Sequence, residues 1–166
     1  MNINNTVHSL FEDGLIGIGL NPTSAQSKMS SATNLIDLLH DGFYIVFLLK
    51  QQYIPSNVDE FRDKILNLLN HFENQARKLQ FSADDIHDAK YAYCALLDET
   101  IVTQQSAQFF DLQNNWMISP LQLSLFGSQL AGYRFFESLE FLRSQGKDRL
   151  AALEVFHYCM LLGFYG

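Results

Sequence analysis

The chain has 166 residues, a formal net charge of −7 and a hydrophobic fraction of 48%, including 14 Phe and 7 Tyr. This length favours one domain with a sizeable core, and this composition argues against wholesale disorder. The 11 basic residues are scattered from Lys28 to Arg149 without a cluster, which argues against nucleic-acid binding.

The apolar stretches are too short for a membrane span. The longest, residues 43–49 and 158–165, fall well short of the ~20 residues that a span needs. The first basic residue after the initiator is Lys28, whereas a secretory signal begins with positive charge. Cys94 and Cys159 stand inside apolar runs, as reduced core thiols of a cytosolic protein do. We therefore expect a soluble domain with reduced thiols, with a redox pair as the alternative.

Residues 1–30 differ from the rest of the chain. They begin Asn-rich, continue with the apolar, glycine-rich segment 14–20 and reach a turn at Asn21-Pro22. This pattern predicts an irregular N-terminal arm. The apolar part of the arm is expected to pack on the domain or on a neighbouring molecule.

Beyond residue 30, apolar residues recur at three- and four-residue spacing, which predicts an all-α domain over residues 31–166. The last helix is apolar on all sides from Val155 to Phe164, so we expect it at the centre of the bundle. A looser stretch is predicted from Gln104 through Trp116. The predicted helices span residues 31–52, 58–80, 82–103, 120–126 and 133–144, and the last begins near residue 147.

Two helix starts carry capping residues. Ser82 is followed three residues later by Asp85, which resembles a capping box. Ser119 precedes Pro120, so we expect the serine to cap the short helix that follows and the proline to take its first position.

Motifs of catalysis are absent from the sequence. There is no G-x-S-x-G elbow, no P-loop and no H-E-x-x-H. Glu154 and His157 lie three residues apart on the last helix, a spacing found in half of a di-iron site. A second such pair and two further helical glutamates are missing, so a hydrogen-bonded pair is the simpler interpretation. A metal-binding protein or enzyme that uses this pair with Asp98 and Glu99 is the alternative hypothesis.

Asp98-Glu99 interrupts an otherwise apolar run, residues 91–102. Adjacent helical residues point about 100° apart, so the two carboxylates do not form a face-to-face acid/base pair. At least one should sit at the edge of the core, where a carboxylate needs hydrogen bonds or a cation. Two interpretations stay open. The carboxylate caps a neighbouring helix or binds a buried arginine such as Arg134, or it lines a groove used by a partner.

Residues 89–101 closely resemble the A-x-Y-A-x-C-A-x-x-D-E signature of the TssL/DotU (IcmH-like) family of type VI and type IVB secretion proteins. Further features of that family follow in order: Trp116, residues 120–126, residues 132–139 and an end at residues 161–166 similar to L-G-F-x-G. The chain departs from the family at residues 103–106, where a Trp-Gly pair is usual, and at residues 131–134, where Gly-Gly-Glu is common.

The resemblance implies a hook-shaped bundle of seven or eight helices in two packed sub-bundles. It also implies a single membrane helix beyond Gly166, which would place the domain on the cytoplasmic side of the bacterial inner membrane. Implied partners are an IcmF-type (TssM-like) inner-membrane protein and a TssK-like baseplate protein, and self-association as a homodimer is an expectation. The resulting hypothesis is a non-catalytic scaffold without metal or cofactor, whose partner-binding groove contains Asp98, Glu99, Trp116 and Arg134.

Overall fold

The computed structural model describes residues 34–127 and 131–166, and the predicted arm at residues 1–30 lies outside them. Within those two segments the chain forms eight α-helices and two short 3₁₀-helices and contains no strand, which confirms the predicted all-α fold. The α-helices are α1 (Leu35–Leu38), α2 (His40–Lys50), α3 (Val58–Lys78), α4 (Ala83–Val102), α5 (Phe110–Ile118), α6 (Leu121–Phe126), α7 (Ala131–Ser144) and α8 (Leu150–Leu161). The 3₁₀-helices are Ala107–Phe109 and Gly146–Arg149.

The first predicted helix is divided at Leu39 into α1 and α2. Asn34 begins α1 by accepting the backbone N–H of Asp37 at 2.8 Å. Asn57 caps α3 in the same way through the N–H groups of Asp59 and Glu60. These side-chain acceptors satisfy donors that a helix start leaves without an intrahelical partner.

Helix α4 lies at the centre of the bundle. It packs against α2, α3, α5, α6, α7 and α8, and its residues 91–98 are all buried. Ser82 caps α4 as predicted, because its Oγ accepts the N–H of Asp85 at 3.0 Å. The sequence placed the last helix at the centre instead, and this prediction is wrong. Helix α8 packs against α4, α1 and α7 and has buried residues, but its Leu161 remains 68% exposed.

The stretch predicted to be loose, from Gln104 through Trp116, is largely helical. A 3₁₀-helix leads directly into α5, and Phe109, Leu112 and Trp116 are buried at helical spacing. Asp111, Asn114 and Asn115, which lie between them, have low helix propensity, so the helical period was not recognised. No helix within residues 34–127 and 131–166 combines the length and apolarity needed to cross a membrane.

Candidate functional site

The Asp98 carboxylate is buried and accepts three N–H groups. Trp116 Nε1 donates to its Oδ1 at 2.7 Å, and the backbone N–H of Leu121 donates to the same oxygen at 3.0 Å. The backbone N–H of Gln122 donates to Oδ2 at 2.9 Å. Asp98 therefore joins three elements, α4, α5 and α6, through a single side chain.

Two of these donors are the first N–H groups of α6, so Asp98 caps that helix from another part of the chain. The prediction that Ser119 caps this helix and that Pro120 is its first residue is wrong. Helix α6 begins at Leu121, and Pro120 occupies the N-cap position without a side-chain hydrogen bond. Ser119 lies one residue too early, and its carbonyl accepts Arg62 Nη1 at 2.6 Å. The carboxylate of Asp98 also complements the positive end of the helix.

Burial shifts the titration of Asp98. Removal from water raises the pKa of its carboxyl, and the N–H donors from Gln122, Trp116 and Leu121 oppose that rise because they favour the ionised form. A carboxylate held by three donors rather than by a cation is a structural acceptor. Of the two interpretations that the sequence left open, this arrangement corresponds to the first, in which the carboxylate caps a neighbouring helix.

Trp116 is fully buried beside Asp98. Its ring lies 5.6 Å from the ring of Phe61, centroid to centroid, and the Arg62 guanidinium carbon lies 4.3 Å from the Trp116 ring centroid. The indole thus extends from α5 into the core and contacts α3 and α4. It is not exposed to a partner in this structure.

Glu99, the next residue, is half-buried and points to a different part of the bundle. Its Oε1 accepts the backbone N–H of Tyr165 and its Oε2 that of Gly166, both at 2.8 Å. Charge-assisted hydrogen bonds of this length are among the stronger ones in proteins. Glu99 therefore fixes residues 163–166, which we call the C-terminal turn.

The C-terminal turn starts from a Schellman motif at the end of α8. Gly163, whose φ is 90°, donates its backbone N–H to the carbonyl of Met160, and Phe164 donates its backbone N–H to the carbonyl of Cys159. The left-handed backbone at Gly163 suits glycine, because it has no side chain to strain there. The chain then reverses and brings Tyr165 and Gly166 to Glu99.

Helix α7 supports the opposite side of the turn. A Cβ added to Gly132 would lie 2.7 Å from the backbone carbon of Gly166, and one added to Gly166 would lie 2.9 Å from the Phe136 ring. The two glycines therefore permit a backbone approach that a larger residue would block. We call Glu99, Gly132, Tyr165 and Gly166 the Glu99 clasp.

An open groove of about 590 Å³ runs between α7 and the C-terminal turn. We call it the α7 groove. Two of its aromatic side chains are strongly exposed, Tyr133 at 73% and Tyr165 at 84%. Its lining residues are Gly132, Tyr133, Phe136, Glu137, Glu140, Tyr165 and Gly166.

The four residues predicted to form a partner groove occupy different environments. Asp98 and Trp116 are bonded to each other in the interior, Glu99 holds the C-terminal turn and Arg134 is exposed on α7. In the described part of the chain, neither carboxylate forms an ion pair with Arg134. Arg134 instead lies near Tyr91, where it partly offsets the rise in the pKa of the Tyr91 hydroxyl caused by burial.

The α7 groove was not predicted as such. Its aromatic residues lie within the segments that carried the family resemblance, residues 132–139 and 161–166, but their exposure is not readable from sequence. The only available signal was the apolar character of Tyr133 and Tyr165 beside glycines. Helical spacing alone would assign such residues to a core.

The residues of the metal hypothesis do not converge. Glu154 and His157 are exposed on α8, whereas both oxygens of Asp98 and both of Glu99 accept N–H groups. Among residues 34–127 and 131–166, no group of three or more His, Cys, Asp or Glu side chains is placed to hold a metal ion. Nothing in this arrangement favours the metal-binding alternative.

Comparison with known proteins relates this architecture to bacterial secretion. The family model described as "Type VI secretion system protein DotU" matches residues 34–166. A solved structure of the cytoplasmic domain of TssL from Acinetobacter baumannii is 76% identical, with a TM-score of 0.80, over 81% of this chain and 84% of that one.

A second solved structure, SciP/TssL of the type VI secretion system from enteroaggregative Escherichia coli 042, is 22% identical with a TM-score of 0.67. It covers 81% of this chain and 76% of its own, and at this identity it supports the fold alone. A search of curated protein sequences gives no match. On the family match and the 76% identity, the chain belongs to the DotU family of type VI secretion system proteins.

Proposed function

We propose that the chain is a non-catalytic scaffold of the type VI secretion membrane complex and that it docks partner proteins through the α7 groove. The partners expected from the family are an IcmF/TssM-like inner-membrane protein and a TssK-like baseplate protein. The relative at 76% identity is described as a cytoplasmic domain, which supports a place on the cytoplasmic side of the inner membrane.

The observation that carries this proposal is the uncovered aromatic surface of the α7 groove. Tyr133 on α7 and Tyr165 in the C-terminal turn both expose most of their side chains and line the same depression. Aromatic side chains are enriched at the centres of protein interfaces, because they bury a large area and lose little conformational entropy. An α-helix and a hydrogen-bonded turn form the walls, and pre-organised walls lower the entropic cost of docking.

The residues predicted for the groove keep distinct parts in this proposal. Glu99 acts as a positioning residue, since its carboxylate fixes the wall that carries Tyr165. Asp98 and Trp116 hold α4, α5 and α6 together. Arg134 is exposed on the same helix as Tyr133 but does not line the groove, so this proposal assigns it no contact there.

The test measures binding of the purified chain to the IcmF/TssM-like and TssK-like proteins of the same bacterium. The double variant Tyr133→Ala/Tyr165→Ala is expected to weaken binding of at least one partner by tenfold or more, as loss of interface anchors does. The matched control is Phe110→Ala/Met117→Ala, which truncates two side chains on α5 that are 64% and 57% exposed. Equal binding by both double variants and the unmodified chain would exclude the groove as the docking surface.

A further inference from the structure

The α7 groove combines exposed aromatic rings with two carboxylates. Glu137 and Glu140 lie three residues apart on α7, both are exposed, and both line the same depression as Tyr133, Phe136 and Tyr165. Residues at this spacing share one face of a helix. The groove therefore presents negative charge beside ring faces, and ring faces are themselves attractive to cations.

The charges near the groove leave this negative character largely uncompensated. Glu140 pairs with Arg143 at 2.7 Å, but both side chains are more than 60% exposed, and such surface pairs are weak. Glu137 has no ion pair within the part of the chain that the structure describes. Arg134 does not line the groove and lies near Tyr91. The chain as a whole carries a formal charge of −7.

We propose that the α7 groove accepts a partner segment in which an Arg or Lys is flanked by apolar residues. This inference rests on the proposed function and specifies the chemistry of the partner. The cation would lie between Glu137 and Glu140 near the ring of Tyr133 or Tyr165, and the apolar neighbours would pack on Phe136. A guanidinium suits this place best, because it bonds carboxylates through two N–H groups and also stacks on aromatic rings.

The same charges disfavour two other occupants. A second copy of this chain would bring another acidic surface against Glu137 and Glu140, at a cost that rises as salt falls. An anionic lipid surface would be repelled by the same two carboxylates. A basic, partly apolar protein segment is the occupant that both the rings and the charges attract.

The test uses two synthetic peptides of about twelve residues, long enough for three helical turns. They have capped ends and the same leucine and serine positions, and they differ only in two central residues, Arg in one and Glu in the other. Each is titrated into the full isotope-labelled chain while backbone amide chemical shifts are recorded. The Arg peptide is expected to shift amides of residues 132–140 and 165–166 and to bind at least about tenfold more tightly than the Glu peptide.

Charge variants then locate the effect. Glu137→Gln/Glu140→Gln is expected to weaken the Arg peptide about tenfold, whereas the control Glu154→Gln, on an exposed glutamate of α8, should leave it unchanged. Equal affinity for both peptides, shifts outside the groove, or indifference to the double variant would overturn the inference. Shifts of the groove amides on raising protein concentration alone would indicate a second copy as occupant and would also overturn it.

The two proposals fail separately. If Tyr133→Ala/Tyr165→Ala abolishes partner binding but Glu137→Gln/Glu140→Gln leaves it intact, the groove docks a partner and the cation inference is wrong. If the Arg peptide binds as expected but neither natural partner depends on Tyr133 and Tyr165, the chemistry of the groove stands and its assigned role in docking these partners fails.

Discussion

The carboxylate of Glu99 accepts the backbone N–H of Gly166 at 2.8 Å across a separation of 67 residues. Its other oxygen accepts the N–H of Tyr165 at the same distance. One acidic residue of the central helix thus sets the position of the C-terminal turn. The C-terminal turn forms one wall of the α7 groove, so the geometry of the groove depends on Glu99.

Glu99→Gln is expected to loosen the C-terminal turn without unfolding the bundle. The amide keeps one acceptor oxygen but turns its NH₂ towards the second backbone donor. We expect a loss of about 1 kcal/mol in the free energy of unfolding. Hydrogen exchange should accelerate at the amides of Tyr165 and Gly166 and stay unchanged in α3. Glu154→Gln is the control. Unchanged exchange at Tyr165 in Glu99→Gln would show that the Glu99 carboxylate does not hold the C-terminal turn.

Asp98→Ala is expected to destabilise the whole domain. It leaves Trp116 Nε1 and the N–H groups of Leu121 and Gln122 without their acceptor in a buried place. Loss of a cap together with unsatisfied buried donors costs about 3 kcal/mol or more. Chemical denaturation measures this loss, and the exposed Asp63→Ala on α3 is the control.

Trp116 gives the same variant a local readout, because it is the only tryptophan of the chain. Loss of the Asp98 contact should shift its fluorescence to longer wavelength as water reaches the indole. A variant with unaltered fluorescence and stability would show that Asp98 is dispensable for packing. In that case its role at a partner surface would regain support.

Gly132→Ala tests the backbone approach between α7 and the C-terminal turn. Alanine is the better helix former, which favours the variant, although the gain at the second residue of α7 is smaller than the roughly 1 kcal/mol of a helix interior. Its Cβ would meet the Gly166 backbone at 2.7 Å, and backbone atoms cannot rotate away as a side chain can. We expect α7 to remain helical while the turn is displaced. The measurement is amide exchange and chemical shift at Gly166, with Ser138→Ala on the same helix as control.

The sequence predicted the helices well where apolar residues follow one clear stripe. Helix α3 buries Phe61, Ile65 and Leu69 at helical spacing, and its predicted limits lie close to the observed ones. Helix α5 was missed because it is short and buries only Leu112 and Trp116, while Phe109 lies in the 3₁₀-helix before it. Hydrophobic periodicity detects a helix only when several apolar residues recur at helical spacing, and one or two buried residues are too few.

The site was predictable only in part. The position of Asp98 in an apolar run indicated a buried, hydrogen-bonded carboxylate. Its donors, however, lie 18 to 24 residues away on α5 and α6, and no local pattern reveals them. The same limit applies to Glu99, whose donors lie 66 and 67 residues further along the chain. Pairings of this kind depend on how helices pack rather than on any one helix.

The two buried cysteines predict a loss of stability in alkaline solution. Burial raises the pKa of the thiols of Cys94 and Cys159, both of which are free and fully enclosed. In the unfolded chain a thiol titrates near pH 8.5, so above that pH the unfolded chain releases protons that the folded chain keeps. Stability should therefore be independent of these thiols below about pH 8 and fall as the pH rises further, by up to about 1.4 kcal/mol per pH unit for each thiol.

Urea denaturation between about pH 8 and pH 9 measures this slope, because an unfolded tyrosine such as Tyr93 begins to release its proton only above that range. Cys159→Ala should lower stability at every pH through the cavity it leaves, and it should also make the slope shallower by one thiol's share. The slope is the decisive quantity, because a purely structural effect of the substitution would shift the whole curve without changing its steepness. An unchanged slope in Cys159→Ala would mean that this thiol ionises as readily in the folded chain as in the unfolded one, in conflict with its burial.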